Sequence, residues 1–357
     1  MNERLERLLG RLILELPSAL KRRIAGPAVI RDGLELELDT QVLLKLAERD
    51  PRPALTAGTA PAQARADLRR DVAQVKGPPI ALEDVRDLTL AGAAGPLRGR
   101  LYVPPADPGA DGPGSLVVFF HGGGWVAGDI DTHDQPCRLL ALHSGARVLS
   151  VDYRLAPEHP FPAPVEDALA AFRDALGKAD ELGIEPGRTA VAGDSAGGHL
   201  AAVTALLAAR DGGPAPAFQL LIYPVTDCLE TSASRRTFAE GFLLTKDNMD
   251  WYEDRFLAAG GERGDPRVSP LHAPSLAGVA PAMVVTAGFD PLRDEGEAYA
   301  RRLREAGVPC TLRRHPGSVH GFVHLLLAGT AAREALAEMG GALRVGLAGV
   351  PAPVVRR

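Results

Sequence analysis

Residues 189–200, TAVAGDSAGGHL, contain the pattern that decides the fold of this chain. An apolar run ends at Gly193, and a helical pattern begins directly after Ser195. The spacing G-x-S-x-G is typical of a sharp strand-to-helix turn that lifts a serine hydroxyl above a sheet. Gly193 and Gly197 suit such a turn because side chains there would collide with neighbouring backbone. We predict that Ser195 is a nucleophile; a helix N-cap serine after a glycine turn is the alternative.

Strand and helix patterns alternate on both sides of this turn. Continuous apolar runs, typical of strands buried on both faces, occur at residues 116–120, 148–151, 189–192, 220–223 and 283–287, with a more polar strand pattern at 310–315. Helical patterns lie between them at residues 136–144, 165–176, 199–210 and 294–306. A hairpin pattern precedes them at 85–90 and 97–103. This order predicts an α/β fold with a mostly parallel central sheet, antiparallel at its start and flanked by helices.

The first eighty residues have a different pattern. Between Leu5 and Leu20, apolar residues recur with the spacing of an amphipathic helix, which Pro17 bends or ends. Further helical patterns follow near residues 39–48 and 62–75, and no strand pattern is visible in this region.

A second helical pattern, at residues 247–257, interrupts the strand–helix alternation. We predict that residues 1–80 form the N-terminal part of a helical cap and that residues 237–265 contribute to it. The cap is expected above the carboxyl ends of the strands. Residues 81–357 otherwise form the catalytic domain.

The segment HGGGW, at residues 121–125, follows directly after a strand pattern. Acyl transfer develops negative charge on a carbonyl oxygen, and backbone N–H groups aimed into a cleft stabilise that charge. We predict that two of the N–H groups of Gly122, Gly123 and Gly124 act as such donors. A further donor is the N–H of Ala196, which follows the predicted nucleophile.

The same glycines also outline a dinucleotide-binding fingerprint, with Gly122, Gly124 and Ala127 after a strand and Asp152 at the end of the next one. In that motif the helix begins within the glycines, whereas here Pro136 and the residues before it delay the helix. This disfavours a nucleotide site.

A loop with clustered metal-ligating residue types follows the glycines. It contains Asp129, Asp131, His133 and Asp134. We interpret it as a solvated loop that leads into a helix N-terminus, so no metal site is predicted. His121 is predicted to brace the glycine loop through hydrogen bonds.

A carboxylic acid and a histidine should follow the serine, in that order along the chain. The apolar run at 283–287 is followed by Gly288, Phe289 and Asp290, so Asp290 emerges at the carboxyl end of a strand. Asp294, Glu295 and Glu297 are the competing acids, and they fall on the next helical pattern. We predict Asp290 as the acid.

Three late histidines compete for the role of base. His315 lies in or at the end of a strand pattern, and His324 is expected on the C-terminal helix. His320 lies in a loop between glycines. We predict that His320 accepts the proton of Ser195 and that Asp290 fixes its tautomer.

Composition excludes several classes of function. The formal net charge is −5, which does not suit a nucleic-acid-binding protein. The three cysteines have no metal-ligand spacing, and their low count fits a reducing compartment. Neither a signal peptide nor an apolar stretch long enough to span a membrane is found, so a cytoplasmic protein without stable membrane insertion is expected.

Five ordered motifs together resemble the hormone-sensitive-lipase-like family of bacterial esterases (bacterial family IV), which has the α/β-hydrolase fold. They are HGGGW at 121–125, YRLAPEHPFPA at 153–163, GDSAGG at 193–198, DPLRDEG at 290–296 and HGF at 320–322.

The resemblance implies hydrolysis of small carboxylic esters without a cofactor, at a glycine loop that tolerates bulky alcohols. It also implies that Asp194 supports loop geometry and that Glu158 and His159 hold the turn between a strand and a helix. An amidase or peptidase on the same fold stays open. One branch of the family consists of plant hormone receptors that bind a ligand and have lost the catalytic histidine; His320 speaks against that reading.

Substrate preference is expected to favour short to medium acyl chains, because Trp125, Trp251 and Tyr252 could restrict the pocket. The natural ester and the formation of a homodimer are not decided by the sequence.

Overall fold

The computed structural model describes residues 12–48, 60–105, 113–229 and 232–348. Its strands are β1 (Ile30–Arg31), β2 (Leu34–Glu35), β3 (Asp84–Gly92), β4 (Gly95–Val103), β5 (Gly114–Phe120), β6 (Arg147–Val151), β7 (Ile184–Asp194), β8 (Phe218–Ile222), β9 (Ala282–Phe289) and β10 (Cys310–Val319). Its helices are α1 (Ser18–Ala25), α2 (Leu38–Ala47), α3 (Pro61–Val75), α4 (Asp134–Ser144), α5 (Ala163–Gly177), α6 (Ala179–Leu182), α7 (Ala196–Asp211), α8 (Ala233–Thr237), α9 (Lys246–Phe256), α10 (Arg293–Glu305) and α11 (Ala331–Leu347). Short 3₁₀ turns lie at Pro270–His272 and Phe322–His324.

Eight of the described strands form one sheet, in the order β10-β9-β8-β7-β5-β6-β4-β3. β4 pairs antiparallel with both β3 and β6, and the remaining neighbours in this sheet are parallel. The predicted mostly parallel sheet with an antiparallel start is confirmed. Because parallel strands end at the same edge, the loops after β5, β7, β9 and β10 leave the sheet side by side.

Helices cover both faces of the central strand β5. Its side chains alternate between two core clusters: Leu116 and Val118 pack with residues of α5 and α7, whereas Val117 and Phe119 pack with residues of α4 and α11. Six of its residues are buried, as expected for a strand between two helical layers.

The register of the central strands aligns the loops that follow them. Phe120, the last residue of β5, pairs with Gly193 of β7. Asp194 pairs with Ile222 at the end of β8. The glycine loop and the turn at Ser195 therefore begin at the same level of the sheet.

Strand β10 is longer than predicted. It continues past His315 to Val319, with a register shift between these two residues. The predicted strand ended at His315. Pro316, which has no N–H to donate, lies within the irregularity. The placement of His324 on the C-terminal helix was also wrong, since it ends a 3₁₀ turn and α11 begins only at Ala331.

The N-terminal region contains a hairpin that the sequence analysis missed. β1 and β2 pair antiparallel around Asp32 and Gly33, which have φ of +52° and +74°. Two positive φ values in succession define the tight hairpin turn that Asp-Gly favours. Strands of two residues are too short to show alternation, so the Asp-Gly pair was the available signal.

Within the described residues, the predicted apolar stripe between Leu5 and Leu20 does not form a buried helix face. Residues 1–11 lie outside the described part of the chain. Leu12 and Leu20 are 51% and 41% exposed, whereas Leu14, which is off the stripe, is buried. Pro17 directly precedes α1, so the helical phase of the preceding residues does not continue past it.

The N-terminal elements contact the carboxyl end of the sheet. Leu36 packs with Phe289 of β9 and Val319 of β10. In α3, Ala64 packs with Val126 of the glycine loop and with Tyr252 of α9. Within the described ranges, none of the helices has the length and apolar character that crossing a bilayer requires.

Candidate active site

The turn at Ser195 has the strained backbone that its sequence predicts. Ser195 has φ of +56°, a conformation that costs about 1–3 kcal/mol for a residue with a side chain. A Cβ at Gly193 would lie 2.3 Å from the carbonyl oxygen of Gly197, and one at Gly197 would lie 1.9 Å from that of Phe120. The two glycines therefore allow the close backbone contacts that hold the serine in this conformation.

Ser195, His320 and Asp290 meet above the carboxyl edge of the sheet. The Oγ of Ser195 is 2.9 Å from Nε2 of His320, and Nδ1 of His320 is 2.8 Å from Oδ2 of Asp290. Asp290 is fully buried, and its Oδ1 accepts the N–H of Leu292 at 2.8 Å. The structure thus brings the three predicted residues into one hydrogen-bonded chain.

The competing histidines have other partners. His315 lies within β10, and its Nε2 is 4.0 Å from a carboxylate oxygen of Glu338. His324 faces Asp194, with 3.7 Å between Nε2 and Oδ2. Of the three late histidines, His320 contacts the serine.

The three competing acids contact residues of neighbouring elements, and no contact with His320 is found for them among the described residues. Asp294 accepts the N–H of Ser234. Glu295 is buried and accepts the side chain of Arg235 at 2.9 Å. Glu297 forms a two-pronged ion pair with Arg314.

Gly122 differs from the other two glycines of its loop. The N–H of Gly122 donates to Oδ1 of Asp194 at 2.9 Å, so this N–H points into the protein. The prediction that Gly122 could supply an oxyanion donor is contradicted by this hydrogen bond.

Gly123, Gly124 and Ala196 have N–H groups without a hydrogen-bond acceptor among the described residues. Gly123 and Gly124 have φ of +116° and +60°. A Cβ would lie 2.2 Å from the carbonyl oxygen of Ala127 at the first position and 2.2 Å from the ring of Tyr252 at the second. Glycine is therefore required at both.

The buried carboxylate of Asp194 contacts residues from several segments of the site. Besides Gly122, its carboxylate contacts Nε2 of His133 at 3.0 Å and the hydroxyl of Tyr223 at 3.3 Å. Burial alone would raise the pKa of Asp194, but His133 and His324 outweigh it and hold that pKa well below its ordinary value. Asp194 is an anionic anchor for the glycine loop.

The loop at residues 129–134 is not the solvated loop that was predicted. Asp129 and His133 are buried; Asp129 accepts the N–H of Thr132 at 2.7 Å and the guanidinium of Arg69. A different set of metal-ligating groups meets in space. His133, Asp194 and His324 have donor atoms within 4.8 Å of one another, held by the contacts just described.

His121 braces the glycine loop as predicted from the sequence. Its Nδ1 is 2.8 Å from the carbonyl oxygen of Gly122, and its own carbonyl accepts the hydroxyl of Tyr153 at 2.7 Å. Its ring stacks on Tyr153 at 4.3 Å. Burial lowers the pKa of His121 to about 4, so the imidazole is neutral at neutral pH.

An ion pair that the sequence did not predict also holds the turn before α5. Arg154 donates to both carboxylate oxygens of buried Asp167 at 2.7 and 2.9 Å. Glu158, which lies in the same turn, accepts Arg65 of α3. The sequence showed no sign of the contacts of His133 and His199, because their partners lie 61 and 74 positions away and leave no local pattern.

Comparisons with known proteins agree with this architecture. A profile of proteins described as having the alpha/beta hydrolase fold matches residues 117–324. The chain is 45% identical over 342 residues to the carboxylic ester hydrolase LipN of Mycobacterium tuberculosis, covering 94% of this chain and 90% of LipN. It is 40% identical to an ethyl acetate hydrolase of Pseudomonas putida, covering 74% of this chain and 83% of that enzyme.

Solved structures give the same result. An ester hydrolase from the metagenome of Lake Arreo, complexed with a bipyridine phosphonate derivative, superposes with a TM-score of 0.84 at 42% identity, covering 88% of this chain and all of that one. A thermostable esterase from Pseudomonas putida superposes with a TM-score of 0.82 at 38% identity, covering 89% of this chain and 99% of that one.

Fold and relatives together define an enzyme of the α/β-hydrolase fold. Within that class the chain belongs to the hormone-sensitive-lipase-like family (bacterial family IV) and is a carboxylic ester hydrolase.

Proposed function

We propose that this enzyme hydrolyses short- to medium-chain acyl esters through an acyl-enzyme on Ser195. The observation that carries the proposal is the unbroken hydrogen-bond path from Asp290 through His320 to the serine hydroxyl. A serine that donates to an imidazole, itself oriented by a buried carboxylate, is the arrangement that activates a hydroxyl for attack on a carbonyl.

Acylation begins when Oγ of Ser195 attacks the ester carbonyl carbon and its proton passes to Nε2 of His320. The carbonyl oxygen becomes an oxyanion, which the N–H groups of Gly123, Gly124 and Ala196 stabilise. The intermediate then collapses: the bond to the alcohol oxygen breaks, and the imidazolium of His320 protonates the leaving alkoxide. An ester of Ser195 and the free alcohol result.

Deacylation repeats these steps with water. His320 takes a proton from the water as its oxygen attacks the acyl carbon, and the same N–H groups hold the second oxyanion. When the bond to Oγ breaks, the proton returns from His320 to Ser195 and the carboxylic acid leaves.

We further propose that residues 1–80 and 237–265 form a cap over this site. The proposal is supported by the packing of Ala64 in α3 with Val126 and Tyr252, which joins both cap segments to the glycine loop. It is also supported by the hydrogen bond from the N–H of Glu37 to the carbonyl of Gly317, close to the catalytic histidine.

An amidase on the same fold would use the same three residues. Esterase and amidase activity must therefore be distinguished by measuring which substrates the enzyme hydrolyses. Matched ester and amide pairs with the same acyl group make that comparison. We expect ester hydrolysis to exceed amide hydrolysis because an alkoxide is a much weaker base, and so a better leaving group, than an amide nitrogen. A ligand-binding protein without turnover would cleave neither.

The decisive experiment combines turnover with covalent labelling. Ser195→Ala should lose measurable hydrolysis of p-nitrophenyl butyrate. It should also not be labelled by a p-nitrophenyl alkylphosphonate, whose phosphorus an activated serine attacks with loss of p-nitrophenolate. Ser275→Ala, at an exposed serine, is the matched control and should keep both properties. Retention of turnover by Ser195→Ala would refute the mechanism.

A further inference from the structure

A hydrogen bond joins the glycine loop to the helix that carries the nucleophile. Nε1 of Trp125 lies 3.2 Å from Nδ1 of His199, and both residues are buried. Trp125 directly follows Gly124 in the loop. His199 lies one turn into α7, and its N–H donates to the carbonyl of Ser195 at 3.0 Å.

The other contact of His199 selects the tautomer that this bond requires. Its Nε2 is 3.1 Å from the carbonyl oxygen of Arg267, which can only accept a hydrogen bond. Nε2 therefore carries the proton, and Nδ1 presents a lone pair to the indole N–H of Trp125. Burial lowers the pKa of His199 to about 4, so this neutral form persists at neutral pH.

Trp125 is held in a backbone conformation that it would not adopt alone. Its φ is +60°, a value that L-residues with large side chains rarely take. The indole stacks on the ring of Phe256 of α9, with 4.1 Å between the ring centroids. The backbone carbonyl of Trp125 accepts the N–H of Ala156 at 2.9 Å. Its side chain is 1% exposed, which leaves it no surface to line a substrate pocket, contrary to the expectation from sequence.

The two ends of this bond belong to the two halves of the proposed oxyanion hole. Gly123 and Gly124 supply donors from the loop, and Ala196 supplies one from the start of α7. We propose that His199 is a positioning residue: by accepting the indole N–H of Trp125, it sets the separation between these two groups of donors. The inference rests on the proposed function, because it concerns the oxyanion that this function requires.

Loss of the bond should affect the transition state more than the bound ester. The negative charge on the oxygen is complete only in the tetrahedral intermediate, so displaced donors lower kcat while KM changes little. A displacement of about 1 Å in such a site can cost about a hundredfold in rate.

The test compares two replacements of His199. His199→Leu removes the acceptor and should lower kcat about ten- to hundredfold. His199→Asn retains one acceptor and one donor and should recover most of that loss. Thr204→Val is the matched control, since Thr204 is buried on the same helix and its hydroxyl has no partner among the described residues; its kcat should equal that of the wild type.

A second variant tests the bond from its other end. Trp125→Phe keeps a ring against Phe256 but has no N–H, so its kcat should fall as in His199→Leu. The double variant should be no worse than either single one, because both remove the same bond. This variant also decides the question if His199→Leu does not fold.

An oxyanion analogue separates positioning from general stability. A trifluoromethyl ketone adds to Ser195 and places an oxyanion in the hole, so its Ki should rise in parallel with the loss of kcat in His199→Leu and Trp125→Phe. Unchanged kcat and Ki in both variants, with Ser195→Ala inactive, would overturn the inference and leave the proposed function intact. Turnover by Ser195→Ala would instead overturn the proposed function.

Discussion

Arg65 and Glu158 form a two-pronged ion pair across 93 positions of the chain, with N–O distances of 2.9 and 2.6 Å. The same guanidinium donates to the carbonyl oxygens of Val126 and Ala156 at 2.8 and 3.0 Å. One arginine of α3 thus ties the N-terminal helices to the segment that follows the predicted oxyanion donors.

This relationship predicts that Arg65→Met impairs catalysis as well as folding. Glu158 is 53% exposed, so the ion pair itself contributes little, but Val126 and Ala156 lose a charged donor. We expect kcat/KM to fall about tenfold and the free energy of unfolding to fall by about 1–3 kcal/mol. Arg70→Met, whose partners lie on its own helix, is the control. Equal kcat/KM in the two variants would contradict the prediction.

Gly124→Ala should disable the site without unfolding the domain. The new Cβ would lie 2.2 Å from Cγ of Tyr252 at a φ of +60°, so the loop must move and carry its N–H away from the oxyanion. Loss of one such donor costs about 10²–10³ in kcat. Gly187→Ala, where nothing lies within 4 Å of the added Cβ, serves as control. Steady-state kinetics and melting curves of both variants check this, and wild-type kcat in Gly124→Ala would count against it.

Asp290→Asn should be nearly as damaging as loss of the serine. An amide at this position can donate its N–H to Nδ1 of His320, which places the imidazole proton on Nε2, where the serine needs an acceptor. We expect kcat to fall about 10⁴-fold with the fold retained. Asp294→Asn, on the following helix, should stay near wild type. The measurement is kcat with circular dichroism, and comparable kcat in the two variants would remove Asp290 from the mechanism.

Two buried histidines make stability depend on pH. Burial lowers the pKa of His121 and of His199 from 6.5 to about 4 in the folded chain. Between these values the unfolded chain binds more protons, so their contribution is complete above about pH 6.5 and is lost as the pH falls through about 4. Each histidine can account for up to about 3 kcal/mol.

The check is urea unfolding of the wild type and of His199→Asn between pH 4 and 7. The variant lacks one of the two groups, so its free energy of unfolding should fall less on acidification. Other groups that titrate in this pH range are present in both proteins, so their contributions cancel in the difference between the two free energies of unfolding. Parallel curves for the two proteins would show that His199 does not titrate as stated.

The value of kcat/KM should rise with acyl-chain length only up to a short chain and then fall. Each methylene buried in a pocket contributes about 0.8 kcal/mol, or about fourfold in kcat/KM, until the pocket ends. Tyr252 packs directly against Gly124, so it is placed to restrict space beside the oxyanion. The test is kcat/KM for p-nitrophenyl esters from acetate to palmitate, each below its micellar concentration. A steady rise to palmitate with activation at an oil–water interface would indicate a lipase lid instead.

Much of the architecture was accessible from the sequence. Apolar runs and helical periodicity identified the parallel strands and the helices between them, because both depend on which faces of a segment are buried. The candidate residues Ser195, Asp290 and His320 follow from their order along the chain and their positions after strands. Their catalytic roles stay a proposal until the variants are measured.

Periodicity failed where elements are short or interrupted. The hairpin of β1 and β2 has too few residues to alternate, and Pro316 concealed the continuation of β10. The exposed Leu12 and Leu20 show that a regular apolar spacing does not guarantee a continuous helix across Pro17.

The sequence by itself determined the fold and the family, and it supplied Ser195, Asp290 and His320 as the candidate catalytic residues. Only the tertiary structure decided which N–H groups lack an acceptor among the described residues: Asp194 accepts that of Gly122, whereas those of Gly123 and Gly124 have none. It also joined Trp125 to His199. The physical reason is that the direction of a single N–H depends on its φ and on acceptors dozens of residues away, whereas strand and helix patterns report only the burial of local segments.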